Sequence, residues 1–179
     1  AYYFSHFFGE HSNSLAELFG EAPTSRPEEV TLELFWTGLR DYLSSRNMSR
    51  KSARQLLADR YSRLFPNLRS DIEKFGGLQI PKPNNYDIST EDGIARLVSN
   101  LASTEIDVVL MTGNSLFIGE AKHEARFGAN GSYVLVHQLI RQYVMANILI
   151  DLLPNQSKMK IVPFVVGDDV EYLNKTAQV

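Results

Sequence analysis

Two short apolar runs rich in β-branched residues flank the dipeptide Gly113-Asn114 and form the clearest pattern in the chain. A dipeptide of this kind readily takes the positive φ angles of a tight turn, so the pattern predicts a β-hairpin. With these two residues as the loop, side-chain alternation leaves both faces of the hairpin largely apolar, which is typical of strands covered on two sides. The pairs predicted on one face are Met111 with Leu116, Val109 with Ile118, Asp107 with Glu120 and Glu105 with Lys122.

Helical spacing of apolar residues accounts for most of the remaining pattern. It predicts an amphipathic helix over 28–43, a basic helix that begins after Ser49 and stops before Pro66, a helix that begins near Thr90 and reaches about residue 101, and a largely apolar helix over 132–153. Residues 160–167 predict a further strand, in which Pro163 indicates a bulge or a position near the sheet edge.

Together these elements predict an α/β fold with a central mixed sheet of four or more strands and helices on both faces. Residues 1–75 are expected to form a helical N-terminal region that packs on the core and supplies the helix over 28–43. Residues 76–179 are expected to form the α/β core. At 179 residues the two parts fit one compact domain.

Composition narrows the function only slightly. The chain has no cysteine, which excludes disulfides and thiolate metal sites and is compatible with a reducing, cytoplasmic location. The apolar segment over 133–153 contains polar interruptions, so we do not expect a membrane span. The net charge is −3, yet half of the 18 basic residues lie between Arg40 and Lys74. A solvated helical face and a DNA-facing patch explain that run equally well.

The charged residues of the hairpin are its anomaly. Opposed side chains in a sheet have Cβ atoms about 5 Å apart, so Asp107 and Glu120 repel unless a counter-charge lies near them. The ammonium of Lys122 is one remedy. A divalent cation is the other, and Mg²⁺ suits it because Mg²⁺ prefers one or two carboxylates with water and a substrate phosphate. A structural network of Glu105, Lys122 and Glu120 is the alternative, but it leaves Asp107 without a role.

These hairpin residues resemble the PD-(D/E)XK nuclease superfamily, which has the restriction-endonuclease-like fold. An Asp on one strand is followed, after twelve residues, by Glu-Ala-Lys at the end of the next strand. Asp107 corresponds to the first acid of the family pattern, and Glu120 and Lys122 correspond to the second acid and the lysine. Ile106 stands where the family name has Pro, at a position that varies in such proteins. The resemblance covers about residues 101–167.

The resemblance implies Mg²⁺-dependent hydrolysis of phosphodiester bonds, with Mn²⁺ as a substitute metal and DNA favoured over RNA. Asp107 and Glu120 would bind the metal, and Lys122 would orient a water or stabilise developing negative charge. In such nucleases a glutamate on the helix before the sheet often reaches the metal. Glu33 and Glu29 both qualify, and Glu33 is favoured because it lies among apolar neighbours. A homodimer is compatible with the family, although nothing in the sequence identifies an interface.

A Gln or basic residue on the helix after the lysine strand often lines the site in the resembled family. One polar island interrupts the apolar helix over 132–153, and it consists of His137, Gln138, Arg141 and Gln142. Gln138 is predicted as the residue that lines the site, with Arg141 as a phosphate contact. Arg50 and Arg54 of the basic helix are further candidate contacts to nucleic acid.

Two other functions fit the same residues. The first is a non-catalytic module on the same fold that binds nucleic acid or assembles with protein, in which Asp107 and Glu120 are structural and Lys122 and the basic helix bind the partner. The second is a small-molecule enzyme that uses the same pair of carboxylates. Motifs for phosphate-binding glycine loops, serine hydrolases and zinc proteases are absent from the sequence.

Overall fold

The computed structural model of the protein describes residues 31–66, 89–112, 114–122, 138–154 and 159–167. Its elements, in chain order, are β1 (Thr31–Trp36), α1 (Gly38–Ser45), α2 (Arg50–Leu64), α3 (Glu91–Ala102), β2 (Ile106–Met111), β3 (Ser115–Lys122), α4 (Gln138–Leu152) and β4 (Lys160–Gly167). The strands form one sheet in the order β1-β2-β3-β4. Strands β1 to β3 are antiparallel neighbours and β4 runs parallel to β3. The predicted α/β class with a mixed sheet is confirmed.

The hairpin of β2 and β3 has the predicted register. Val109 pairs with Ile118, and the Thr112 N–H donates to the Ser115 carbonyl at 2.9 Å at the base of the loop. Val109 and Ile118 lie in the larger core, whereas Val108 packs in a smaller cluster on the opposite face. The turn residues and the alternation of apolar side chains therefore fix this part of the sheet.

Two predicted helix starts are confirmed by their caps. The Ser49 hydroxyl accepts a hydrogen bond from the Ser52 N–H at 3.1 Å, and the Thr90 hydroxyl accepts one from the Gly93 N–H at 3.1 Å. Each bond satisfies an amide that has no partner within its own helix. Helix α2 ends at Leu64, as predicted from Pro66.

The larger core lies between the sheet and the helices, and all four described helices contribute to it. Its fully buried side chains include Leu39, Leu57, Leu97, Leu101, Ile118, Val144, Met145 and Ile148. Burial of α4 explains why that helix is apolar nearly all round. Within the described residues the smaller cluster consists of strand side chains, so helices on the second face stay a prediction. Pro163 lies on β4, an edge strand of the described sheet, as predicted.

The helix predicted over 28–43 was wrong for the part that the structure describes. Residues Thr31–Trp36 form strand β1, and helix α1 begins only at Gly38. Leu32, Phe35 and Trp36 fit helical spacing, but residues 31–34 also alternate between polar and apolar. So short a segment cannot separate the two periods. Pairing with β2, which is apolar on both faces, favours the strand. The predicted N-terminal region therefore contributes a strand to the sheet.

Phe35 reverses the side-chain alternation of β1. Its φ angle is 54°, a backbone angle that residues other than glycine rarely adopt. Leu34 packs in the smaller cluster, but Trp36 packs against the larger core, although residues two apart in a regular strand share a face. Ile106, the partner of Trp36, also lies in the larger core, although strict alternation along β2 predicts it on the face of Val108 and Leu110. The side chains of both strands therefore change faces of the sheet between the pair Leu34 with Val108 and the pair Trp36 with Ile106.

Gly119 lies beneath the ring of Phe164, its partner on β4. A Cβ atom at Gly119 would lie 2.3 Å from Phe164 Cζ. We expect Gly119→Ala to lower the free energy of unfolding by about 1–3 kcal/mol, because the ring must leave its place in the smaller cluster. Urea denaturation would measure the loss. The loss should shrink when Phe164→Leu is the background, and an equal loss in both backgrounds would contradict the clash.

Candidate active site

The ladder between β2 and β3 opens at the end that carries the acidic residues. Its pairs run from Met111 with Leu116 as far as Val108 with Gly119. Beyond them, Asp107 Oδ2 accepts a hydrogen bond from the Ala121 N–H at 2.9 Å. Asp107 was predicted simply to face Glu120, and its carboxylate instead reaches the amide that follows Glu120. Because Asp107 is partly exposed, solvent and ligands can still reach it.

Glu120 is a buried acid held by helix α4. Its side chain is 2% exposed, and it is the one buried acidic side chain among the described residues. Gln142 Nε2 donates to Glu120 Oε2 at 2.6 Å and to the main-chain oxygen of Glu105 at 3.1 Å. Two acceptors on the nitrogen orient the amide, since its oxygen must then point elsewhere. Helix α4 thus fixes the position of the Glu120 carboxylate.

The oxygen of the Gln142 amide, unlike its nitrogen, lacks a hydrogen-bond partner among the described residues. Gln142 is fully buried, and its Oε1 has no hydrogen-bond partner within the described part of the chain. Leaving a buried acceptor unpaired costs about 1–3 kcal/mol, and folded proteins contain few of them. An acceptor of this kind beside a buried carboxylate suits a site that takes up water or a ligand with a donor group.

Gln142 is the site residue that sequence reasoning missed. Gln138 was predicted to line the site, and the structure places it, partly exposed, in the first turn of α4. Gln142 lies one turn further along and contacts Glu120 directly. The available signal was its setting among apolar residues, because a buried amide needs a partner inside the core. Arg141, the predicted phosphate contact, is also partly exposed.

The structure does not bring Glu33 to the carboxylates. Its prediction as a helical residue was wrong, because the segment is strand β1, where Glu33 is exposed and pairs with Val109. It lies nearer the hairpin turn than Asp107 does. There it lines a cavity of about 160 Å³ whose walls include Trp36, Met111 and Leu149. The other candidate, Glu29, lies outside the described residues.

Lys122 is the last residue of β3 and pairs with Gly167 of β4. Its backbone thus ends the strand that carries Glu120, as predicted. Its side chain lies outside the described part of the structure, as does residue His137 of the polar island. The role of the Lys122 ammonium therefore stays a prediction.

Some of the basic residues between Arg40 and Lys74 form ion pairs that stabilise the fold. Arg60 donates to Asp151 Oδ2 of α4 at 2.6 Å, and Arg63 also pairs with this carboxylate. These two arginines therefore join α2 to α4. Arg50 and Arg54, near the start of α2, are exposed. The part of the run that could face nucleic acid is thus smaller than the sequence suggested.

The oxygen atoms of Asp107 and Glu120 are ligands of the kind that hard cations prefer. Among the described residues, no group of three or more His, Asp or Glu side chains is placed to hold a metal ion. A site at Asp107 and Glu120 would therefore combine two carboxylates with main-chain or water oxygens. That set suits Mg²⁺, which usually keeps several waters and binds one or two carboxylates. It does not suit Zn²⁺, which takes three or four protein ligands rich in nitrogen and sulfur.

Comparison with known proteins identifies no relative of this chain. No family model, no curated protein and no solved structure matches it. None of the helices in the described ranges is long and apolar enough to cross a membrane. The geometry of Asp107, Glu120 and Gln142 is therefore what indicates the function.

Proposed function

We propose that this protein is a Mg²⁺-dependent nuclease that hydrolyses phosphodiester bonds, with DNA as the favoured substrate. The observation that carries the proposal is the buried Glu120, which Gln142 holds beside the strand end where Asp107 reaches the Ala121 amide. Burial of a carboxylate between a helix and a sheet is unfavourable for folding unless the group is well paired. Buried acids with specific partners concentrate at functional sites.

Each residue has a distinct part in the proposed reaction. When bound, Mg²⁺ would polarise the phosphate and make a water more acidic. Asp107 and Glu120 would hold the cation through their carboxylate oxygens. Gln142 keeps Glu120 in one orientation through the 2.6 Å hydrogen bond, as the outer partners of metal ligands do. Lys122 would stabilise the negative charge that develops on the phosphate.

A non-catalytic binding module is the second candidate, and one contact favours it. The bond from the Ala121 N–H to Asp107 gives Asp107 a structural role, since it satisfies an amide where the ladder opens. The exposed Arg50 and Arg54 would then contribute to binding of nucleic acid without cleavage. The two candidates differ in whether the charge of Asp107 matters, because an asparagine there could still accept the Ala121 amide.

Cleavage assays on the Asp107→Asn variant separate these functions. We expect the wild-type protein to cut at least one of linear, circular or single-stranded DNA or RNA with Mg²⁺ or Mn²⁺, and none of them in EDTA. We expect Asp107→Asn to cut about 100-fold more slowly or worse, because the neutral amide is a poor cation ligand. Gel-based initial rates would measure the difference.

Asp92→Asn is the matched control. Asp92 is an exposed residue of α3 whose ion pair with Arg96 lies within one helix, so this variant should cut at the wild-type rate. A wild-type protein that cuts no substrate with either metal would reject the nuclease. Cleavage by Asp107→Asn at the wild-type rate would reject the assigned site.

A further inference from the structure

Phe35 combines an unfavourable backbone conformation with an exposed ring. Its side chain is 66% exposed, and it is the one large hydrophobic residue that is exposed among those described. Its φ angle is 54°, and the other non-glycine residue with positive φ in the described ranges is Asn47, at 50°. Asn47 follows the end of α1, where asparagine is common in this conformation. A phenylalanine between paired residues near the end of a strand has no such explanation.

The fold itself does not require a phenyl ring at this position. The reversal that carries Trp36 into the larger core needs a positive φ angle at residue 35, and glycine adopts that angle without steric cost. The ring of Phe35 also adds little to either core, because most of it faces solvent. The side chain is therefore best explained by something that it contacts outside the fold, since strained residues concentrate at functional sites.

Phe35 lies beside the proposed active site. In the register of β1 and β2 it falls between the pairs Leu34 with Val108 and Trp36 with Ile106. That is the position opposite Asp107. Neighbouring strands lie about 5 Å apart, and the Asp107 carboxylate points to Ala121 on the other side. A substrate chain of several nucleotides bound at Asp107 would therefore extend over only one strand spacing to reach the exposed ring.

We propose that Phe35 stacks on an unpaired base of the substrate, so that the protein acts on single-stranded nucleic acid or at unpaired nucleotides. This inference rests on the proposed nuclease function, and it names the substrate class. Bases in a duplex have both faces covered by their neighbours, whereas an unpaired base can stack on an exposed aromatic ring. Stacking of this kind tolerates any base sequence, because every base presents an aromatic face.

Binding measurements on the Phe35→Gly variant test the inference. We expect this variant to bind a fluorescein-labelled oligothymidylate of roughly 15 nucleotides about tenfold or more weakly than the wild-type protein. Fluorescence anisotropy in EDTA measures binding without cleavage. Phe35→Trp should bind at least as tightly as the wild-type protein, since its ring is larger. Affinity for a duplex of the same length should be unchanged in both variants.

Thermal stability distinguishes a stacking residue from a structural one. Phe35→Gly should melt within about 3 °C of the wild-type protein. Glycine removes the steric strain of the positive φ angle, and this gain offsets the greater conformational entropy of the unfolded chain. The matched control is Thr31→Gly, at another exposed position of the same strand, which should leave single-strand binding unchanged. Loss of single-strand and duplex binding together with a large fall in melting temperature would overturn the inference.

The outcomes separate this inference from the nuclease proposal. Equal binding of the single strand by wild type and Phe35→Gly, or no binding by the wild type, overturns the stacking role whether or not the protein cuts with Mg²⁺. A wild-type protein that binds the single strand through Phe35 but cuts nothing with Mg²⁺ supports stacking and rejects the nuclease. Cleavage that favours single strands and is lost in Phe35→Gly supports both.

Discussion

A Glu120→Gln variant is expected to lose at least about 100-fold of its Mg²⁺-dependent cleavage rate while its free energy of unfolding changes by less than about 1 kcal/mol. The glutamine has the shape of the glutamate, and its oxygen can still accept the hydrogen bond from Gln142 Nε2. It has no charge with which to hold a divalent cation. The variant thus removes the proposed chemistry and leaves the packing in place.

Initial cleavage rates over a range of Mg²⁺ concentrations, together with urea denaturation, would test this expectation. Glu105→Gln is the matched control. Glu105 is an exposed acid just before β2, and Gln142 contacts its main-chain oxygen. This control should keep the wild-type rate. If Glu120→Gln cuts as fast as the wild-type protein, Glu120 is a structural acid and the proposed metal site is wrong.

A Gln142→Leu variant is expected to be less stable than the wild-type protein by about 2–4 kcal/mol. Leucine fills a similar volume but donates no hydrogen bond. The buried Glu120 carboxylate and the Glu105 carbonyl would both lose the donor that they share. The loss should exceed the cost of an ordinary surface substitution, because a buried charge is affected.

A double-mutant cycle identifies the source of that loss. In a Glu120→Leu background no carboxylate is present, so Gln142→Leu should cost clearly less than in the wild-type background. Urea denaturation of the four proteins gives the coupling free energy. A coupling near zero would mean that the 2.6 Å contact between Gln142 and Glu120 contributes nothing to stability.

Local signals predicted the hairpin and the helix starts. The register of β2 and β3 follows from two turn residues and from alternation within a short segment. The caps at Ser49 and Thr90 follow from residues no more than three positions away. The residues that interact in these features are close together in the sequence, so the sequence alone is enough to predict them.

The features that sequence reasoning missed depend on distant partners. Strand β1 was taken for a helix because its partner β2 lies some 70 residues further along the chain. Gln138 and Gln142 lie one helical turn apart and differ by only about 40° in direction, so a periodic pattern cannot separate them. They differ in depth along the helix by about 6 Å, and only the packing of α4 on the sheet decides which of them meets Glu120. The bond from Ala121 to Asp107 likewise depends on where the ladder opens.

The different chain separations across the sheet also affect the order in which its parts can assemble. Strands β2 and β3 are separated by only three residues, whereas β1 and β2 are separated by roughly 70 residues, whose described part includes helices α1, α2 and α3. Loop-closure entropy rises by about 0.6 kcal/mol for each doubling of loop length, so closing the β1 pair costs about 3 kcal/mol more than closing the hairpin. Asp107 and Glu120 therefore belong to the most local part of the sheet. Phe35 belongs to a strand that joins the sheet only after that long loop has closed.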